Sequence, residues 1–300
     1  MSKLPSIKNR LASGISIAVA LFAAFFFLPD AFLPLILAAI AALLSLEFYQ
    51  ILTAAGIPNF NRWGTVASVL LTLAAWYRPP DLRIPVLLVC VVAILLRQFP
   101  QKNNPRPIET IAGTLLGIFY IGFLWSMMAT LVTYNSVMFT GSVFYIDVLS
   151  RDLVTVSMGT RWILLYAVFA AKFTDIGAYL VGCLFGRHKL FPRISPNKSW
   201  EGVFGGLFLG TLSCTLLARF IPETFHSFTN IELPLPFIII ASLFVCIAGI
   251  VGDLVESLFK RAAAIKDSAG FIPGMGGTLD LLDSILFTAP ATYLVLRLVA

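Results

Sequence analysis

Two stretches of this chain concentrate side chains that can bind or transfer charge, and the later one is denser. Asp253, Glu256, Ser257 and Lys260 recur at i, i+3, i+4 and i+7, the spacing that lines one face of a helix. Asp280 and Asp283 repeat the i, i+3 step further on, behind Gly274, Gly276 and Gly277. Glycines before a helix let backbone N–H groups converge on an anion. Asp253, Asp280 and Asp283, brought together, repel one another unless a cation joins them. Hard oxygen ligands point to magnesium, which takes one or two carboxylates and completes its shell with substrate phosphates. Arg187, Lys198, Lys260 and Lys266 would suit a polyphosphate. Acids, cations and glycine turn together describe metal-assisted phosphoryl or nucleotidyl transfer. Neither a GxxxxGK[ST] loop nor a protein-kinase signature occurs.

The earlier stretch begins with Lys172 and Asp175 inside an apolar run. An ionisable group at membrane depth costs about 3 kcal/mol, so it needs a partner or a wet cavity. Three residues apart on a helix, the two are neighbours. Lys172 is read as half of a structural ion pair, and Asp175 as a carboxylate facing a polar site. A basic loop follows, with Arg187, Lys189, Arg193 and Lys198. Within it Ser195-Pro196-Asn197-Lys198-Ser199 is more specific than a run of charge. Ser199 can cap the helix that carries Glu201, and a helix start beside Lys198 and two hydroxyls suits phosphate.

These residues need a membrane scaffold to position them. Of 300 residues, 59% are hydrophobic and 12% charged. A soluble globular chain carries about 25% charge, so a water-soluble fold, a disordered chain and a coiled coil are excluded. The expectation is an all-α polytopic membrane protein with about nine spans, at 11–28, 31–52, 63–78, 83–97, 108–132, 161–183, 202–221, 233–255 and 281–298. With the N-terminus inside, fourteen of the 21 Lys and Arg fall on the inner side and six on the outer, which satisfies the positive-inside rule. That orientation puts both polar stretches on the inner face. Residues 1–160 read as a transmembrane bundle with bland loops, and 161–300 as the catalytic region. Asp30, in a short outer turn, and the long outer loop 133–160 are given no role. Cys90, Cys183, Cys214 and Cys246 read as small apolar residues without disulfides, and two distant histidines exclude a His-based zinc site.

The two stretches resemble the phosphatidate cytidylyltransferase (CDP-diacylglycerol synthase) family. The later pattern is Ser257, Lys260-Arg261, Lys266-Asp267, Pro273-Gly274, Gly276-Gly277 and Asp280…Asp283-Ser284. The earlier one runs from Asp175 and Gly177-Ala178-Tyr179 through Phe185-Gly186 to Ser195-Pro196, Lys198 and Trp200-Glu201-Gly202. Met275 stands where the family usually has His, and Leu281 where it usually has Arg. The resemblance implies the reaction of CTP with phosphatidate to give CDP-diacylglycerol and diphosphate, at a cytoplasm-facing site in the cell membrane. It implies magnesium on Asp253, Asp280 and Asp283 and a second cation, potassium. Lys198, Lys260 and Lys266 would hold phosphates beside Arg187, Lys189, Ser195, Ser199, Ser257, Arg261 and Asp267, while Gly274, Gly276 and Gly277 cradle diphosphate. The bilayer is a partner, nucleic acid is not, and a homodimer is left open. Competing expectations are a polyprenol kinase or ether-lipid cytidylyltransferase and, from another class, a transporter.

Overall fold

A computed structural model describes residues 22–23, 25–77, 82–138, 158–221, 233–265, 268 and 277–299. Among them are nine α-helices: α1 (Leu33–Ala54), α2 (Asn61–Tyr77), α3 (Arg83–Gln98), α4 (Pro107–Gly117), α5 (Leu124–Met138), α6 (Met158–Phe185), α7 (Trp200–Phe220), α8 (Leu235–Ala262) and α9 (Thr278–Val299). A π-helical turn, Ile118–Phe123, joins α4 to α5 without a break. Proline starts α1, α4 and α8, where its missing N–H costs no helical bond.

Six helices are long and apolar enough to cross a membrane: Asp30–Ala54, Pro107–Thr133, Gly159–Phe185, Trp200–Phe220, Leu235–Ala262 and Thr278–Val299. The protein is therefore a polytopic, all-α chain by length and composition. Two expected spans, α2 and α3, are helical but only 17 and 16 residues long. At about 1.5 Å per residue they fall short of a hydrocarbon core about 30 Å thick. Most of the expected first span, and most of loop 133–160, lies outside the described residues. Helix α8 runs seven residues past its expected end, because its polar stripe continues the helix beyond the apolar segment. The other difference is a hairpin between α6 and α7. Its strands, β1 (Lys189–Phe191) and β2 (Ser195–Ser199), pair antiparallel with Lys189 opposite Ser199.

One buried cluster extends from Phe25 through Leu37, Trp125, Tyr166 and Val245 to Leu296, across the boundary expected at residue 160. The indole N–H of Trp125 on α5 donates to the Leu37 carbonyl on α1 at 2.9 Å. Close approach of α6 and α7 rests on small residues. A Cβ at Gly206 would sit 2.6 Å from the Thr174 carbonyl oxygen. At the opposite end of α6 from the hairpin, Arg161 pairs with Asp30 at 2.6 Å and donates to the Phe25 and Phe26 carbonyls. Asp30 is thus no idle turn residue. It neutralises a guanidinium that closes the carbonyl end of the preceding helical segment.

Candidate functional site

Ends of α6, α7, α8 and α9 meet around the hairpin, and Gly252 sets how closely α8 approaches α9. A Cβ there would lie 2.8 Å from the Asp283 carbonyl oxygen. This approach brings Asp253 and Glu256 of α8 against Asp283 of α9, with carboxylate oxygens of all three within 4.8 Å of one another. Glu256 is 1% exposed and Asp283 6%. Such crowding is unfavourable without compensating charge. Two lysines supply part of it. Lys198 on β2 pairs with Asp253, and Lys260 lies 2.6 Å from Glu256 and 2.9 Å from Asp280. Neither Glu256 oxygen makes a directed hydrogen bond. Nearby hydroxyls complete the set: Ser257 reaches Asp253 at 3.4 Å, and Ser284 reaches Asp283 at 3.1 Å and Asp175 at 3.4 Å.

The expected acid trio was Asp253, Asp280 and Asp283. Asp253 and Asp283 do meet, but the third member of the cluster is Glu256. Asp280 adjoins the cluster through Lys260, which it shares with Glu256: its oxygens accept from Lys260 at 2.9 Å, the Gly277 N–H at 2.9 Å and the Ser268 N–H at 3.1 Å. Of the three glycines of the turn, Gly277 is the one among the described residues. At the start of α9, the Thr278 and Leu279 N–H groups donate to Glu47 of α1, each at 2.7 Å, and Gly277 donates to Asp280. Carboxylates of the protein therefore take these three donors. Glu47 is completely buried and also accepts from the Ser268 hydroxyl at 3.3 Å. The rule applied to Lys172 and Asp175 would have found it, since Glu47 is the one acid in the expected span 31–52.

The hairpin supplies the remaining wall. Ser199 caps α7 by accepting from the Gly202 N–H at 3.2 Å, as its place in the sequence predicts. Glu201 in the first turn accepts from the N–H groups of Arg187 and His188 and contacts the His188 ring at 2.6 Å. Arg261 fastens the far end of α8 to the Ile194 carbonyl at 3.2 Å. Between hairpin, α6, α7 and α8 is a cavity of about 300 Å³, lined by Asp175, Ser195, Asn197, Lys198, Ser199 and Asp253 among others. Arg187 and Lys189 do not join it. They line a separate, open depression with Trp200, Glu201 and Phe204. Lys266, Asp267, Gly274 and Gly276, and with them Met275, lie outside the described residues.

Lys172 and Asp175 stand 3.7 Å apart. Lys172 also donates to the Leu281 carbonyl at 2.7 Å, and the Leu281 side chain lines an apolar cleft. Leucine at this position thus packs with hydrocarbon rather than with the acids beside it. The donor set fits a hard divalent cation: three carboxylates, two of them buried, within 4.8 Å of one another, in a chain whose two histidines are far apart in sequence.

The sequence matches the cytidylyltransferase family over residues 8–299. It is 41% identical over 136 residues to a Staphylococcus epidermidis protein named phosphatidate cytidylyltransferase, and 43% identical over 136 residues to its Staphylococcus haemolyticus namesake. A Staphylococcus aureus protein of the same name is 46% identical over 137 residues. Each match covers 45% of this chain and 49% of the relative, so the similarity spans about half the length of these relatives.

Proposed function

Because this chain belongs to the cytidylyltransferase family, we propose that it is a phosphatidate cytidylyltransferase, forming CDP-diacylglycerol and diphosphate from CTP and phosphatidate. The observation that carries this reading is the Asp253–Glu256–Asp283 cluster, flanked by Lys198 and Lys260, with Asp253 lining the cavity beside the hairpin. The proposed reaction joins two polyanions. A phosphate oxygen of phosphatidate attacks the α-phosphorus of CTP. The bond from that phosphorus to the bridging oxygen of the β-phosphate breaks, and diphosphate leaves with the electron pair. The nucleophile is already anionic near neutral pH, so no side chain has to remove a proton from it.

In this reading Asp253, Glu256 and Asp283 hold magnesium, whose chemistry there is neutralisation of phosphate charge. Potassium as a second cation belongs to the same proposal. Lys198 is paired with Asp253. Its ammonium, on the cavity wall, would meet a phosphate of CTP there. Lys260 keeps Glu256 and Asp280 in register between α8 and α9. Ser195, Ser199 and Asn197 offer hydroxyl and amide groups on the cavity wall. The excess of Lys and Arg on one set of loops supports a cytoplasmic site.

The test is purified protein in phosphatidate-containing micelles with labelled CTP and Mg²⁺. A labelled liponucleotide should form and should cease with EDTA. Equal product in EDTA would remove the metal assignment. Phosphorylation of an isoprenoid alcohol, with phosphatidate inert, would replace the proposed reaction by a polyprenol kinase.

A further inference from the structure

A cleft of about 440 Å³, with Lys172 in its lining, lies between the segment around Phe26, α1, α5, α6 and α9. Its walls include Phe26, Ile40, Met128, Val168 and Leu282. Trp125 also borders it, but its indole N–H is already spent on the Leu37 carbonyl. Among the described residues of the lining, the one charged side chain is Lys172. An ammonium carries three donors. One goes to the Leu281 carbonyl at 2.7 Å, and Asp175 stands at 3.7 Å. From Asp175 the polar contacts run through the Ser284 hydroxyl, at 3.4 Å, to Asp283, 3.1 Å from the same hydroxyl. Lys172 therefore marks the junction of a hydrocarbon-lined space with the carboxylate cluster.

We propose that this cleft holds an acyl chain of the anionic phospholipid substrate, with Lys172 receiving its phosphate. The assignment rests on the reading of a lipid phosphate as acceptor. Charge complementarity chooses the occupant. A neutral lipid gains nothing from a cation placed at the mouth of an apolar space, whereas a phosphate monoester gains a charge-assisted bond there. Apolar walls offer water no partners, so the space favours hydrocarbon. The arrangement also assigns Lys172 a function beyond pairing with Asp175. It draws the lipid phosphate to the edge of the cluster while the chain stays out of water.

The experiment uses the whole protein, with Mg²⁺ and without CTP, and a phosphatidate bearing a diazirine on one acyl chain. Light-induced adducts should map to residues 164–169 and to Phe22, Phe25 and Phe26. Unlabelled phosphatidate should compete and phosphatidylcholine should not. Lys172→Gln should weaken that competition about tenfold. In turnover, Val168→Trp should raise KM for dioleoyl phosphatidate about tenfold more than for dihexanoyl phosphatidate, with KM for CTP unchanged. Adducts confined to other helices, equal competition by phosphatidylcholine, or equal slowing of both chain lengths would overturn the cleft. Normal liponucleotide synthesis without cleft adducts would overturn the cleft and leave the reaction standing. Cleft adducts with no liponucleotide from any phosphatidate would do the reverse.

Discussion

The two halves of the chain place their buried charge in opposite ways. In α6–α9 it is clustered: acids recur at helical spacing, lysines answer them, and a glycine lets two helices close on each other. In α1–α5, among the described residues, the buried acid is a single residue, Glu47, with no charged neighbour in its apolar run. Yet Glu47 accepts the first N–H groups of α9 and so fixes the backbone from which Asp280 and Asp283 project. Both arrangements obey the same desolvation rule, that a buried charge survives only with partners. They differ in what the partner is. Side chains that handle a ligand need other side chains nearby, which sequence spacing records. A carboxylate that satisfies a helix terminus needs only backbone, which leaves no motif.

The largest expected effects belong to the clustered half. Asp283→Asn or Glu256→Gln keeps shape but removes a charge from the proposed cation site. Each should slow CTP-dependent liponucleotide formation by about 10³, or about 4 kcal/mol. Steady-state assays over a range of Mg²⁺ would check this. Near-normal rates in both variants would dissolve the distinction between the halves.

An intermediate effect should come from the solitary acid. Glu47→Ala leaves two N–H groups at the start of α9 without their acceptor, at a cost of about 3 kcal/mol. A lower melting temperature in detergent, with activity lost together with the fold, is the expected result. Glu47→Gln keeps one acceptor and should fall between the two. If Glu47→Ala melted like the unaltered protein, the first half would be scaffold only.

Asp30→Asn should have the smallest effect. Arg161 keeps its bonds to the Phe25 and Phe26 carbonyls but loses its counter-charge. Because Asp30 is partly solvated, the loss should be about 1 kcal/mol of stability, with turnover within about twofold of normal. Comparing thermal melts with initial rates separates the two readouts. A large drop in rate would mean that the end of α6 remote from the hairpin communicates with the cluster.

Much of the site was legible in the sequence because helical periodicity is local. The stripe from Asp253 to Lys260, the cap at Ser199 and the mid-span pair Lys172 and Asp175 all follow from spacing along one element. The choice between Glu256 and Asp280 as the third acid did not. Both are i+3 neighbours of a cluster residue, and one of them faces Asp283 only because of how α8 is rotated against α9. The hairpin was hidden for a related reason. Its strands are three and five residues long, too short for a period-two pattern, and Pro196 reads as loop.

By itself the sequence determined that the chain is built for a bilayer, that its acids and lysines share helix faces, and which family its motifs resemble. Those properties depend on composition and on neighbours a few residues apart. Tertiary structure decided which acids meet, and that a carboxylate 231 residues before Thr278 holds the start of α9. Such outcomes depend on interhelical distance and rotation. Here the packing at Gly252 and the burial of Glu47 set them, and periodicity within one helix carries no information about either.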